Sequence, residues 1–201
     1  MNTKEVIIKA ALKLFLSKGF IQTSMNEIAA EVGVSKPAIY HHFKNKEVLV
    51  QAIFDYFSAK MAEWSQEYFA DCTDEQKIHK MFSSTPTFMH VEKVILDDTA
   101  AELPYSYNMF MLLMSRMDPT YKARISEDLL LTQRKMTASF THLQQEQSVR
   151  DDIDPAILSL LMHTILEGLS FLGELIENAD IEAESENLYK AFWKLLKKEN
   201  Q

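Results

Sequence analysis

The chain has 201 residues, 47% apolar and 25% charged, with a net charge of −8 at pH 7; this suffices for one large domain or two small ones with real cores. A single cysteine, Cys72, excludes an intramolecular disulfide and a cysteine metal cluster, and suits a reducing cytoplasm. No uncharged apolar run approaches the length of a membrane span, and the N-terminal MNTKEVIIKA is polar, so neither a span nor an export signal is expected.

Only four glycines occur, beside 11 methionines and apolar residues that recur every three or four positions, a pattern that predicts an all-α fold. Charge is uneven. Residues 1–50 hold seven lysines against four glutamates (net +3), and residues 51–201 hold 14 Lys/Arg against 25 Asp/Glu (net −11). Affinity for a polyanion must then come from a local basic face near the N-terminus. Lys4, Lys9, Lys13 and Lys18 either belong to that face or form a solvated helix surface.

The most informative stretch is residues 24–46, SMNEIAAEVGVSKPAIYHHFKNK. Ser24 and Glu27 have the spacing of a capping box and predict the start of one helix. Gly33 stands where a turn calls for positive φ, and Ala29 is small where a second helix crosses closely. Ser35 caps that second helix, with Pro37 in its first turn, while Ile28, Val32, Val34, Ile39 and Phe43 form the shared apolar seam. Lys36, Tyr40, His41, His42, Lys44 and Lys46 remain outward. The pattern is a helix-turn-helix.

Upstream, IIKAALKLFLSKGFIQTS places Leu14, Phe15, Lys18, Gly19, Phe20, Thr23 and Ser24 ahead of Ile28-Ala29, Gly33-Val34-Ser35-Lys36 and Ile39-Tyr40-His41-His42-Phe43 with Lys46. Over roughly residues 5 to 50 this resembles the DNA-binding domain of the TetR family (TetR/AcrR-like) of bacterial transcriptional regulators. The resemblance implies an N-terminal three-helix helix-turn-helix DNA-binding domain (residues 1–46) and a C-terminal helical ligand-binding and dimerisation domain (residues 47–201), but no particular ligand.

The expected DNA-contacting residues are Thr23, Ser24, Ser35, Lys36, Pro37, Ala38, Tyr40, His41, His42, Lys44 and Lys46. Lys36, Pro37 and Ala38 lie at the helix N-terminus, where Lys can donate to guanine O6 and N7 and Pro or Ala can meet a thymine methyl. Ala38 departs from the hydrogen-bonding residue often found there in the family. Thr23 and Ser24 offer hydroxyl and N–H groups to phosphate. The resemblance assigns Tyr40, His41 and His42 to phosphate or base contacts and Lys46 to a phosphate. Adjacent residues on a helix point about 100° apart, so His41 and His42 cannot face one groove equally; their protonation would strengthen binding below about pH 6.5.

Asn45 caps a long helix with Val50, Ile53, Phe54, Phe57, Met61, Trp64 and Tyr68 on one stripe, expected to link the two domains. Asp71 to Gln76 predicts a turn and Lys77 to Phe82 a short helix. Thr85-Pro86, Asp118-Pro119 and Asp154-Pro155 mark further helix starts, with another near Pro104. The helix from Pro119 to about Glu146 carries Ile125, Leu129, Met136, Phe140 and Leu143 on one stripe. Residues Asp154 to Glu177 are apolar on more than one face and so need cover on two sides. With the helix from Ile181 to Lys198, they are expected to pair two copies through Leu158, Leu161, Met162, Ile165, Leu169, Leu172, Leu188, Phe192 and Leu195; a larger monomeric core is the alternative.

Residues 86 to 117 are rich in Met and aromatic side chains, which suits a cavity for apolar ligands. The expected lining is Phe57, Met61, Trp64, Phe88, Met89, Tyr105, Tyr107, Met109, Phe110, Met114, Met136 and His163, although ordinary core packing explains any one of them as well. His90, His142 and His163 lack metal-ligand spacing, and no metal or cofactor is expected. Asp97 and Asp98 leave the effector's charge open.

The functional expectation is a cytoplasmic, homodimeric regulator that binds double-stranded DNA at a palindromic operator, with repression relieved by a small apolar or amphipathic effector. One rival makes the C-terminal domain a protein-interaction platform. The other, a helical enzyme, finds no nucleophile elbow, HExxH, phosphate-binding glycine loop or paired carboxylates.

Overall fold

The computed structural model of the protein describes residues 3–85, 96 and 106–197. They form nine helices and no strand among the described residues: α1 (Thr3–Lys18), α2 (Met25–Val32), α3 (Lys36–His42), α4 (Lys46–Tyr68), α5 (Asp74–Ser83), α6 (Tyr107–Met117), α7 (Pro119–Gln145), α8 (Pro155–Leu175) and α9 (Ile181–Leu196). The all-α expectation holds. The described residues divide into two compact units, one of 3–68, 96 and 106–113, the other of 69–85 and 114–197.

In the first unit α1 buries Ile7, Ile8, Ala11, Leu12, Phe15 and Leu16 on one stripe. Leu49, Val50, Ile53 and Phe54 of α4 are also buried, and α4 packs along α1. The domain boundary expected at residue 46 therefore differs from the grouping seen, in which α4 stays whole with the N-terminal helices. The reason lies in its first two turns, whose four buried side chains fill the same core as α1. Phe110 of α6 completes that core. Its ring stacks on Phe15 with centroids 6.0 Å apart and tilts against Phe54 at 6.1 Å. The sequence assigns Phe110 to an effector pocket; the structure makes it a core residue of the first unit.

In the second unit α5, α7, α8 and α9 share one core, including Ile78, Phe82, Met136, Phe140, Leu143, Leu158, Met162, Leu166, Phe192, Trp193 and Leu196. α5 starts earlier than the expected short helix, because Thr73 and Gln76 form a capping box: the Gln76 N–H donates to Thr73 Oγ1 at 3.3 Å and the Thr73 N–H to Gln76 Oε1 at 2.9 Å. The Asp-Pro starts behave as expected, Asp118 accepting from the Thr120 N–H at 2.7 Å and Asp154 from the Ala156 N–H at 2.8 Å. The Thr85-Pro86 and Pro104 starts involve positions outside the described residues.

α5 is also tied by polar groups. Asp74 accepts from Ser139 Oγ at 2.7 Å, from Lys77 Nζ at 3.0 Å and pairs with His142 Nδ1 at 2.7 Å. Burial alone would raise the Asp74 carboxyl, but the hydrogen bonds from Ser139, Lys77 and His142 outweigh it and hold the group below its ordinary value. His79 Nε2 lies 3.1 Å from Glu186 of α9, and Ser185 Oγ donates to the Phe82 carbonyl.

α8 shows how an all-round apolar helix divides its faces. Leu158, Met162, Leu166 and Leu169 are buried, while Ile157, Leu160, Leu161, Phe171, Leu172 and Leu175 are exposed. This corrects the expected pairing surface. Leu158, Met162, Leu169 and Phe192 are buried within their own unit, and Ile165 and Leu188 pack against its core. Of the nine residues expected, Leu161, Leu172 and Leu195 remain exposed. α8 also has the length and apolar content of a helix able to cross a bilayer, but it carries Glu167 and Glu174, and one of its stripes is seated in the core.

Candidate nucleic-acid interface

The helix-turn-helix is built from local hydrogen bonds that the sequence dictates. Ser24 Oγ accepts from the Glu27 N–H at 3.2 Å and Glu27 Oε2 accepts from the Ser24 N–H at 2.8 Å, closing the capping box. At the other end of α2, Gly33 adopts φ 73°; its N–H reaches the Ala30 carbonyl at 3.2 Å, and the Val34 N–H reaches Ala29 at 2.9 Å. That pair of bonds is a Schellman cap, which needs a left-handed residue at Gly33. Two residues later Ser35 caps α3, accepting from the Ala38 N–H at 3.4 Å, with Pro37 in the first turn.

α3 then has two faces. Ile39 is fully buried and Phe43, its C-cap, is 1% exposed. Ser35, Lys36, Pro37, Tyr40, His41 and His42 are exposed, as are Ser24 and Lys44, and Ala38 is half-buried. Tyr40 shows 40% of its surface rather than packing inward. The rings of His41 and His42 meet edge-on with centroids 5.6 Å apart, so the two histidines form one exposed imidazole pair at the end of α3. No acidic residue lies in α3, and among the described residues no ion pair engages Lys36 or Lys44.

Two expected DNA contacts face the protein instead. Thr23 is 2% exposed, and its hydroxyl donates to the Gly19 carbonyl at 2.9 Å, which fastens the corner between α1 and α2. Lys46 begins α4, behind the cap in which Asn45 Oδ1 accepts from the Val48 N–H at 2.9 Å. Its ammonium donates to the Thr23 carbonyl at 2.7 Å and to the Phe20 carbonyl, and sits 4.0 Å from the centroid of the Phe20 ring. Burial in that corner pulls the Lys46 amine below its ordinary value, against the opposing influence of the Glu47 and Glu27 carboxylates. Sequence reasoning missed the Lys46 placement because its carbonyls belong to backbone that only the folded turn brings to the start of α4, and the Thr23 placement because the Gly19 carbonyl it meets carries no side-chain signal.

The same corner also holds an ionic tie. Lys18 Nζ lies 2.6 Å from Glu27 Oε1. That hydrogen bond, helped by those from Ser24, lowers the Glu27 carboxyl from an ordinary 4.5 to about 2. Lys18 is thereby engaged with α2, and Lys9 lies 3.9 Å from Glu5 within α1. Lys4 places its ammonium 5.8 Å from the centroid of the Phe43 ring. The lysines of α1 therefore contribute partly to internal ties.

The other expected site residues are dispersed. Phe57, Met61 and Trp64 are half-buried along α4, where Trp64 stacks on Tyr68 with centroids 4.5 Å apart. Met109 is 48% exposed, Met114 is buried, and Met136 belongs to the core of the second unit. His163 pairs with Glu167 at 3.4 Å within α8. Phe88, Met89, Tyr105 and the side chain of Tyr107 lie outside the described residues, as do His90, Asp97 and Asp98.

Residues 7–53 match the family model described as bacterial regulatory proteins, tetR family. An uncharacterized HTH-type transcriptional regulator, YerO of Bacillus subtilis, is 50% identical over 54 residues, which span 27% of this chain and 19% of that protein. The HTH-type transcriptional repressor AcnR of Corynebacterium efficiens is 22% identical over 94% of this chain and 89% of its own length. The fold matches that of a TetR transcriptional regulator from Chloroflexus aurantiacus, with a TM-score of 0.79 at 21% identity, covering 97% of this chain and 96% of that one. With its capped helix pair, its left-handed Gly33 turn and its outward basic and aromatic α3, the segment of residues 7–53 is a helix-turn-helix domain of the TetR family of transcriptional regulators.

Proposed function

We propose that the protein is a homodimeric repressor that binds a palindromic operator and leaves it when a small apolar or amphipathic effector binds the C-terminal part of the chain. One observation carries the reading: α3 buries Ile39 while it exposes Lys36, Tyr40, His41 and His42. A helix anchored on one side and basic on the other is suited to the major groove, with its N-terminal residues at base edges. There Lys36 donates to guanine O6 and N7, the Pro37 ring and Ala38 methyl meet thymine methyls, and Tyr40 with the histidine pair faces the phosphates.

Pairing of two copies is supported by the exposed stripe of Ile157, Leu160, Leu161, Phe171, Leu172 and Leu175 on α8, with Leu195 of α9. Such an apolar surface on one protein marks a partner site. A two-fold pair presents two copies of α3 to two half-sites, so the operator is an approximate palindrome. Repression is supported by the name of AcnR, a transcriptional repressor aligned with 94% of this chain. The effector acts through a difference in its affinity for the DNA-fitting and non-fitting states. The site of action is the cytoplasm, where the chromosome lies.

The test is selection of DNA from a random duplex pool by the purified protein at a fixed, stated salt concentration. A palindromic motif is the expected result, and Lys36→Ala is expected to relax the base preference at one position of each half-site. A folded, dimeric protein that enriches no motif overturns the reading.

A further inference from the structure

Gly168 stands in the interior of α8, and nothing around it in its own chain calls for a glycine. Its φ is not left-handed, and the helix runs unbroken from Pro155 to Leu175. A Cβ added to it would meet no described atom within 4 Å. Glycine is the poorest helix former after proline, so alanine would serve this helix better if the helix stood alone. A residue that weakens its own helix and relieves no crowding there points to something outside the chain.

Its place on the helix shows where that partner lies. Residues three, four and seven apart share one face, so Gly168 is flanked by Leu161 and Thr164 on one side and by Leu172 and Leu175 on the other. All four are exposed. The glycine is thus the floor of the exposed apolar stripe, with taller side chains before and after it. Thr164 does not interrupt the stripe, because its hydroxyl donates to the Leu160 carbonyl at 2.8 Å and is satisfied within the helix. α8 contains Glu167 and Glu174 but no Lys or Arg, which argues against a nucleic acid or an anionic bilayer as the occupant. With the exposed Ile176 and Leu195, the stripe offers an area on the order of the ~800 Å² that each partner buries in a standard protein pair.

The stripe fits a second copy of itself. Leu161 lies seven residues before Gly168 and Leu175 seven after, roughly 10 Å to either side along the helix axis. A two-fold axis through Gly168, perpendicular to the helix, sets the second α8 antiparallel, so that each residue's contact is repeated with the roles exchanged. Leu161 then meets Leu175 of the partner subunit, the small Thr164 meets the larger Leu172 of the partner subunit, and Gly168 meets its own copy. A parallel pair would set threonine on threonine and leucine on leucine, with a gap at one end and crowding at the other. Packed helices lie about 8 to 10 Å apart according to the side chains at the contact, and a glycine on both sides of the crossing permits the near end of that range.

We infer that two copies of the chain pair by an antiparallel crossing of their α8 helices at Gly168, where the missing side chain lets the partner's helix reach the backbone. The inference rests on the homodimer reading and adds to it the point of contact and the orientation.

Two sets of variants of the full chain test it. In the first, the dimer Kd is read by light scattering over a dilution series, with helicity as the check on folding. Filling a tight contact is expected to raise Kd about tenfold for Gly168→Ala and about a hundredfold for Gly168→Leu. A folded Gly168→Leu with the wild-type Kd overturns the inference.

The second set joins Leu161→Cys to Leu175→Cys in a Cys72→Ser background. The two positions are about 21 Å apart along one helix, too far for a disulfide within one chain, but they meet across the crossing. Mild oxidation is expected to give a covalent dimer on a denaturing gel, released by thiol, while either cysteine alone gives none. A dimeric protein whose cysteine pair stays unlinked, or whose single cysteines link to themselves as a parallel pair would, overturns the inference. Both positions are exposed, so this arm stands even where Gly168→Leu does not fold. A wild type that is monomeric at every concentration is a different result: it overturns the homodimer reading and this inference with it.

Discussion

Phe110 stacks on Phe15 with ring centroids 6.0 Å apart, so a residue almost a hundred positions away in sequence completes the core of the DNA-binding unit. Phe110 is 3% exposed and also meets Phe54. Truncation to Ala removes a ring from a packed site and leaves a cavity, which costs about 3 to 5 kcal/mol. Phe110→Ala is therefore expected to lower the urea midpoint of the first unit sharply, and Phe110→Leu by less. A Phe110→Ala variant with unchanged stability would mean that the ring is not part of this core.

Gly33→Ala tests the turn. A Cβ at Gly33 would meet nothing within 4 Å, so the only cost is the left-handed φ of 73°, about 1 to 2 kcal/mol for an L-residue. Thermal unfolding of the first unit should register that loss, and Gly33→Asn should recover part of it because Asn tolerates this conformation. An Ala variant as stable as the wild type would contradict the Schellman geometry.

The Glu27–Lys18 tie makes an acid-dependent prediction. The carboxyl titrates at about 2 when folded against an ordinary 4.5, so the unfolded chain takes up the proton first as pH falls. Its stabilisation is present above about pH 4.5 and is lost as pH falls toward about 2. Glu27→Gln should therefore flatten the decline in melting temperature across that window while lowering stability at pH 7. Equal pH profiles for the two proteins would remove Glu27 from the acid response.

The exposed stripe of α8 offers a test of the proposed dimer. Phe171 and Leu175 are 63% and 65% exposed, and Leu195 of α9 is 69% exposed. Phe171→Glu places a charge where a second copy would bury an aromatic ring. It is expected to raise the dimer Kd by about thirty-fold or more, the scale of a 2 kcal/mol hot spot, with helicity unchanged. Light scattering across a dilution series measures this. The same substitution at Leu158, which is 1% exposed, is expected to unfold the second unit instead.

Sequence alone determined what is encoded locally. The capping boxes at Ser24 and Thr73, the left-handed glycine at residue 33 and the Asp-Pro helix starts depend on residues within five positions of each other, and their chemistry permits few conformations. Of these, the Thr73 box falls in the stretch where composition predicts a turn. The outward set on α3 was legible too, because a seven-residue helix with Ile39 and Phe43 on its seam leaves Lys36, Tyr40 and the histidines little choice of face.

Tertiary structure decided whatever depends on which of several apolar surfaces meets which. α8 carries two apolar stripes of similar composition, and hydrophobicity has no direction, so nothing in its sequence distinguishes Leu158 and Met162, which face the core, from Leu161 and Leu172, which do not. Phe110 and Met136 have the composition of a pocket lining but the positions of core residues. Lys46 has the charge of a phosphate ligand, yet its partners are the carbonyls of Phe20 and Thr23, more than twenty residues earlier. Such partners carry no side-chain signature in sequence; folding of the turn alone aims those carbonyls at the ammonium.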